Sequence, residues 1–295
     1  MHRRGLIASL ALPPLAWLGG CGVDVTRVDG ADAPSFAPTS THPRLALVLA
    51  AGGPRGFAHV GVVRALKELR VEPDLVVGAS VGALIGSALA AGLPIERIES
   101  LAFDFDFYRL ARWSPSGGMQ MDGSKIAALV RDSLQLHSFG ELKIPLAVVA
   151  TDAQSGSPVV FNQGDLGYAV QASCAIPGRF APVRIRGRDT VDADVSSPLP
   201  VKTARLLGAR KVLAVDVAVH MDKPRPAGAE KYLKGDRIKR AQIDAEARLA
   251  DLVLHPYFGY WVNLSREYRE TTACAAYEQT MQQSAAIVAL AKAPA

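Results

Sequence analysis

The chain is poor in several things, and each shortage removes a class of protein. It has three cysteines in 295 residues, Cys21, Cys174 and Cys274, and none shows the close spacing of a metal-binding knuckle. If Cys21 is otherwise engaged, only Cys174 and Cys274 remain to pair, and the sequence leaves that open. Excess charge is also scarce. Lys and Arg number 33 against 28 Asp and Glu, and removal of a leader carrying Arg3 and Arg4 would leave 31 against 28. No basic run is interleaved with aromatics, so nothing points to nucleic acid. The N-terminal apolar stretch, Leu6 to Leu18, is broken by Pro13-Pro14 and is too short for a membrane-spanning helix. No internal repeat and no low-complexity block is present.

Core material, by contrast, is ample. With 49% hydrophobic and 21% charged residues, the chain suits one large or two small globular domains. Its central signal is Asp74-Leu-Val-Val-Gly78-Ala-Ser80-Val-Gly82. Leu75 to Val77 reads as a short buried strand. Val81 to Ala91 is helix-compatible and is closed by Gly92. A serine held between glycines at a strand-to-helix turn has a mechanical logic. Gly78 and Gly82 let neighbouring backbones pass closely, and the hydroxyl is pushed into the open at the strand's end.

The preceding segment has the same build. Arg44 to Ala50 is a continuous apolar run that reads as a buried parallel strand. Ala51-Gly52-Gly53-Pro54-Arg55-Gly56 follows, and a helical pattern runs from Phe57 to Leu69. Strand, glycine loop, helix, strand, serine elbow and helix imply an α/β sheet with right-handed crossovers. Further buried strands are expected at Ile144 to Thr151, Pro158 to Phe161 and Lys211 to Val217, with a strand-turn-strand over Phe180 to Val191. Trp113 to Asp122 reads as a mobile loop. The tail is expected to be helical from Asp236 to Ala250 and from Thr272 to Lys292, with a short strand at Leu252 to Leu254. Between them, Tyr257-Phe-Gly-Tyr-Trp261 suits either core packing or contact with lipid.

A nucleophilic serine needs a base, donors for the developing oxyanion and an accessible pocket. Gly52 and Gly53 lie between a strand and a helix N-terminus, where unobstructed N–H groups and the helix dipole favour negative charge. Phosphate binding is the competing reading. However, Phe57-Ala58 stands where a P-loop carries lysine and Ser/Thr, and Ala51 breaks a G-x-G-x-x-G fingerprint. The candidate bases are Asp192, Asp194, Asp216, His220 and His255. The run Asp192-Ala-Asp194-Val-Ser-Ser-Pro falls after a strand and before a helix, where a loop presents a carboxylate. His59 reads as a packed helix histidine.

Together these residues resemble the patatin-like phospholipases. Ala51 to Gly56 is similar to that family's glycine-rich oxyanion motif, with Ala51 in place of its first glycine. Gly78 to Gly82 is similar to its serine elbow. Gln171 to Pro177 with Phe180-Ala-Pro182 resembles the segment before its last motif, and Asp192-Ala193-Asp194 falls where the family has Asp-Gly-Gly or Asp-Gly-Ala. The resemblance spans about residues 45 to 216. It implies a three-layer α/β/α fold with a mostly parallel central sheet. It also implies a Ser-Asp dyad in which Ser80 attacks an ester carbonyl and Asp192 takes its proton. Gly52, Gly53 and Arg55 supply backbone donors; Pro54 has none to give. Phospholipids or lysophospholipids are the implied substrates, with no metal or organic cofactor. Ala51 and Ala193 are harmless where φ is negative and cost ~1–2 kcal/mol each where it is left-handed. Asp194 places a second negative charge beside the base.

Residues 1–20 read as an export signal, with Arg3-Arg4 a faint twin-arginine cue. Leu18-Gly19-Gly20-Cys21 resembles a bacterial lipobox, which implies lipidation of Cys21 and a periplasm-facing anchor in the inner or outer membrane. Residues 21–43 read as a flexible tether, 44–219 as the catalytic core and 220–295 as a mostly helical C-terminal part packed on it. Two other readings stay open: an α/β-hydrolase esterase with a Ser-His-Asp triad, and a non-catalytic lipid-binding lipoprotein.

Overall fold

The computed structural model describes residues 25–104, 106–114, 118–121 and 123–293. The expected export signal and Cys21 lie outside the described residues. The strands are β1 Arg27–Val28, β2 Leu45–Leu49, β3 Leu75–Ala79, β4 Ala111–Ser114, β5 Gly118–Met121, β6 Leu146–Asp152, β7 Pro158–Phe161, β8 Val183–Ile185, β9 Arg188–Val191, β10 Lys211–Val215 and β11 Leu252–Leu254. The helices are α1 Phe57–Glu68, α2 Val81–Ala90, α3 Ile95–Phe103, α4 Ser124–Leu134, α5 Leu166–Ser173, α6 Val201–Leu206, α7 Leu233–Ala247, α8 Arg266–Gln282 and α9 Ser284–Lys292.

The central sheet is built on five parallel strands in the order β11, β10, β2, β3, β6. Every residue of β2, β3 and β6 is buried. Their sequences are continuous apolar runs because helices cover both faces of the sheet, so neither face can be polar. This is the three-layer, mostly parallel arrangement expected from the resemblance.

The antiparallel strands explain how the two halves of the site meet. β7 covers one edge of β6, from Val148 opposite Phe161 to Thr151 opposite Pro158. β3 pairs with the other edge and ends with Ala79 opposite Val149. β9 runs in the reverse direction, with Val191 opposite Thr151. Since β7 already occupies the first edge at Thr151, β9 must share the second edge with β3. The two strands therefore meet head to head beside Ala150, and the residues that follow them, Ser80 and Asp192, arrive at one point.

Three sequence expectations change here. Part of the supposed tether is fastened to the body. β1 pairs in parallel with β8, the side-chain amide and carbonyl of Asn162 bond the backbone of Ala37, and Arg186 donates to the carbonyl of Ala33. The stretch Trp113 to Asp122, expected as a loop, overlaps the antiparallel pair β4 and β5, with Trp113 opposite Met119 and Ser114 opposite Gly118. Backbone pairing needs no apolar pattern, which is why composition alone pointed to loops in both places. The C-terminal helix expected over 272–292 is two helices separated at Gln283. α8 packs closely on α1 because Gly61 has no side chain; a Cβ there would stand 1.9 Å from the carbonyl oxygen of Ala273.

Candidate active site

Ser80 occupies the turn between β3 and α2 with φ 53° and ψ −122°. A non-glycine residue in such a region carries strain of order 1–3 kcal/mol and persists only where its surroundings enforce it. The glycines on either side make the turn sterically feasible. A Cβ at Gly78 would lie 2.6 Å from Cα of Ala83, and one at Gly82 would lie 2.2 Å from the carbonyl oxygen of Leu49. A third residue braces the turn. Ser173, at the end of α5, accepts from the Ser80 N–H at 2.7 Å and donates its hydroxyl proton to the carbonyl of Val149. Sequence reasoning placed Ser173 within a motif but gave it no role, because its partners lie 93 and 24 residues away.

The Ser80 hydroxyl donates to Oδ2 of Asp192 at 2.7 Å across 112 residues of chain. Asp192 is 1% exposed. Its Oδ1 accepts from the N–H of Asp194 at 2.8 Å, its carbonyl accepts from the Thr151 hydroxyl at 2.9 Å, and its N–H donates to the carbonyl of Ala175 at 3.0 Å. The carboxyl is thus held at its backbone and at both oxygens. Burial pushes its pKa up to about 6, against the lowering effect of the hydrogen bonds from Asp194 N–H and Ser80. The Asp194 carboxylate adds a further upward push, while Lys239 draws the pKa down. Asp194 turns away from the serine, with its Oδ1 2.5 Å from Nζ of Lys239 on α7.

The glycine loop lies against the elbow. Gly52 is extended at φ 177°, and a Cβ on it would come within 2.6 Å of the Val217 side chain. Gly53 sits at φ 53°. Gly56 touches the start of α2, where a Cβ would reach 2.3 Å from a Val81 methyl. Among the described residues, the non-glycine positive-φ positions are Arg70, Ser80, Gln135 and Arg186. Ala51 and Ala193 therefore sit where glycine is not required.

Arg55 departs from its expected part. Its N–H donates to the carbonyl of Gly52 at 3.1 Å, closing a 3-10 turn over Gly53–Gly56, and so is not aimed at a ligand. The N–H groups of Gly52 and Gly53 have no acceptor among the described residues. The buried Arg55 guanidinium reaches the C-terminal part instead. It donates to the carbonyls of Gly259 and Tyr260 and lies 5.4 Å from the centre of the Phe258 ring.

The other candidate bases stand in a separate network. Asp216 receives Nη1 of Arg240 at 2.6 Å, and Nε2 of His255 lies 3.6 Å from it. The His255 and His220 rings stack at 3.6 Å. His59 is fully buried and bonded through Nε2 to the carbonyl of Ala50, and burial depresses its pKa to about 4. No histidine is bonded to Ser80 or Asp192 among the described residues. Cys174 and Cys274 are free thiols.

Ser80 and Gly53 form part of the wall of a cavity of about 500 Å³. The remainder is mostly aliphatic: Leu84 from α2, Ile98 from α3, Ile126 and Val130 from α4, and Val262 and Leu264 from the segment before α8. These residues were not legible as a site. Their helical spacing is the same whether a face packs a core or lines a hollow.

The patatin-like phospholipase family model matches residues 47–205. An uncharacterized NTE family protein of Mycobacterium tuberculosis is 36% identical over 194 residues, 64% of this chain and 52% of that protein. Patatin-like phospholipase domain-containing protein 6 of Homo sapiens is 30% identical over 190 residues, 62% of this chain and 14% of that protein. The chain thus spans about half, or less, of the length of these curated relatives. Among solved structures, VipD from Legionella pneumophila has a similar fold, with a TM-score of 0.58 at 16% identity over 90% of this chain and 71% of that one.

Proposed function

The chain belongs to the patatin-like phospholipase family, and from that premise we propose that it hydrolyses acyl esters of phospholipids or lysophospholipids through Ser80 and Asp192. The observation that carries this reading is the 2.7 Å hydrogen bond from the Ser80 hydroxyl to a buried carboxylate beside an apolar cavity. The cavity has the size and lining of a site for an acyl chain.

With the chain seated, the ester carbonyl lies over Ser80. The serine oxygen attacks the carbonyl carbon while Asp192 accepts its proton. A carboxyl with a pKa of about 6 is ionised at neutral pH and is a stronger base than an exposed aspartate. The oxyanion is met by the N–H groups of Gly52 and Gly53, with the positive end of α2 nearby. As the tetrahedral intermediate collapses, the carbon–oxygen bond to the alcohol breaks and Asp192 returns the proton to the leaving oxygen. In the second half Asp192 takes a proton from water, hydroxide adds to the acyl carbon, and Ser80 leaves reprotonated.

A fluorophosphonate probe with mass-spectrometric mapping separates this reading from a non-catalytic lipid-binding protein. The adduct is expected on Ser80, and Ser80→Ala is expected to lose both the label and at least ~10³-fold in hydrolysis of a lysophospholipid. A folded Ser80→Ala protein with near wild-type turnover would sink the assignment. We also propose that Cys21 is lipidated and anchors the body on the periplasmic side of a bacterial envelope membrane. Cys21→Ser should then leave the detergent phase on partitioning, and equal partitioning of variant and wild type would count against the anchor.

A further inference from the structure

The segment joining β11 to α8 is irregular yet firmly held. Arg55 holds the carbonyls of Gly259 and Tyr260 from the glycine loop, and the side-chain amide of Gln279 bonds both the N–H and the carbonyl of Tyr257. So braced, the segment turns apolar side chains outward: Trp261 is 51% exposed, Val262 41% and Leu264 42%. Tyr232, itself exposed, meets Trp261 edge to face at 6.2 Å. Large apolar groups are rarely displayed together on a soluble surface without a purpose.

Two observations say what covers them. Val262 and Leu264 belong both to this surface and to the wall of the cavity that holds Ser80, so the patch is continuous with the path to the nucleophile. Beside it, Lys231, Lys234 and Arg237 are exposed and form no ion pair among the described residues, whereas their neighbours Lys239 and Arg240 are paired with Asp194 and Asp216. Aromatic rings that carry one polar atom, next to unneutralised cations, match the boundary of an anionic bilayer.

We propose that Tyr232, Trp261, Val262 and Leu264, flanked by Lys231, Lys234 and Arg237, seat the cavity mouth on an anionic phospholipid surface. An acyl chain then passes from the bilayer past Val262 and Leu264 to Ser80 without crossing water. The proposal rests on the acyl-ester reading of the cavity, but its binding test does not require turnover. The full chain carrying Cys21→Ser, Trp17→Phe and Trp113→Phe has no lipid anchor and keeps Trp261 as its one tryptophan. With vesicles of phosphatidylcholine and phosphatidylglycerol brominated in the acyl chains, Trp261 emission should shift to the blue and be quenched. Glutamine at Lys231, Lys234 and Arg237 together should weaken binding roughly tenfold or more, since each cation near an anionic surface adds about 1 kcal/mol. Trp261→Ala with Tyr232→Ala should leave hydrolysis of a short soluble ester within about twofold and lower that of vesicle lipid roughly tenfold. Absence of quenching overturns the proposal, as does a dimer abolished by Trp261→Ala in place of lipid binding. Quenching in a protein that hydrolyses no ester refutes the enzymatic reading and leaves the docking surface standing; turnover without quenching does the reverse.

Discussion

Asp192 and Asp216 each follow a strand of the same sheet, and each is 1% exposed. Their surroundings differ in one respect. Asp216 has the guanidinium of Arg240 at 2.6 Å and His255 beyond it. Asp192 has a serine hydroxyl and a backbone N–H, and the nearby cation, Lys239, is paired with Asp194 instead. A buried carboxylate with a cation in contact is a brace, linking β10 to α7. A buried carboxylate that faces only neutral donors is suited to act as a base, because desolvation is left uncompensated and raises its proton affinity. Lys239 acts at one remove, neutralising Asp194 so that Asp192 does not bear its full repulsion.

The largest effect should come from removing the proposed base. Asp192→Asn keeps the size of the side chain and should lower kcat/KM by ~10²–10⁴ on a soluble ester, with circular dichroism checking the fold. Retention of more than a tenth of the activity would place the base elsewhere. Breaking the brace should act on stability. Arg240→Met leaves Asp216 buried without its cation and should cost ~3–5 kcal/mol in urea unfolding, much of it recovered by adding Asp216→Asn. Unchanged stability in the single variant would remove the distinction drawn between the two aspartates.

The raised pKa of Asp192 makes two signed predictions. In the proposed mechanism activity requires the carboxylate, so kcat/KM should rise with pH through about 6 and then level off. Stability should move the other way. The folded state holds this proton more tightly than the unfolded chain, whose value is 3.8, so the contribution of Asp192 is fully present below about pH 4 and is lost as pH rises through about 6. Relative to wild type, Asp192→Asn should therefore gain on the order of 2–3 kcal/mol between pH 4 and pH 7 in urea titrations. A constant difference across that window would contradict the shift.

The smallest effects belong to the groups outside the dyad. His220→Ala and His255→Ala should stay within about tenfold of wild type, because neither is bonded to Ser80 or Asp192: His255 lies against Asp216 and the carbonyl of Ala218, and His220 against Asp222 and Tyr257. Asp194→Asn should also keep most activity, since the bond it gives Asp192 comes from its backbone. A folded histidine variant reduced a thousandfold would favour a triad. Loss at Asp194 with retention at Asp192 would move the base two residues along.

What could be read from the chain was local. The serine elbow was legible because the two glycines flank the serine within five residues, Gly78 to Gly82, although the atoms Gly82 makes room for belong to Leu49 and Ala50; strained Ser80 sits between them. The buried strands were legible because a strand covered on both faces must be apolar throughout. The fastened residues 27–37 and the paired strands β4 and β5 were not, since backbone pairing leaves little trace in residue type.

By itself, then, the sequence determined the buried apolar strands, the glycine loop, the serine on its turn and the aspartate loop 112 residues away. Tertiary structure alone decided that β9 meets β3 end to end on one edge of β6, which is what joins Ser80 to Asp192. It also decided that Arg55 spends its N–H within its own turn, that Ser173 braces the elbow, and that the apolar faces of α2, α3 and α4 leave a hollow between them. The physical reason is common to all four. Side-chain period and turn chemistry act over a few residues, whereas strand register, hydrogen-bond partners and the gap between packed helices depend on segments that meet only after the chain has closed on itself.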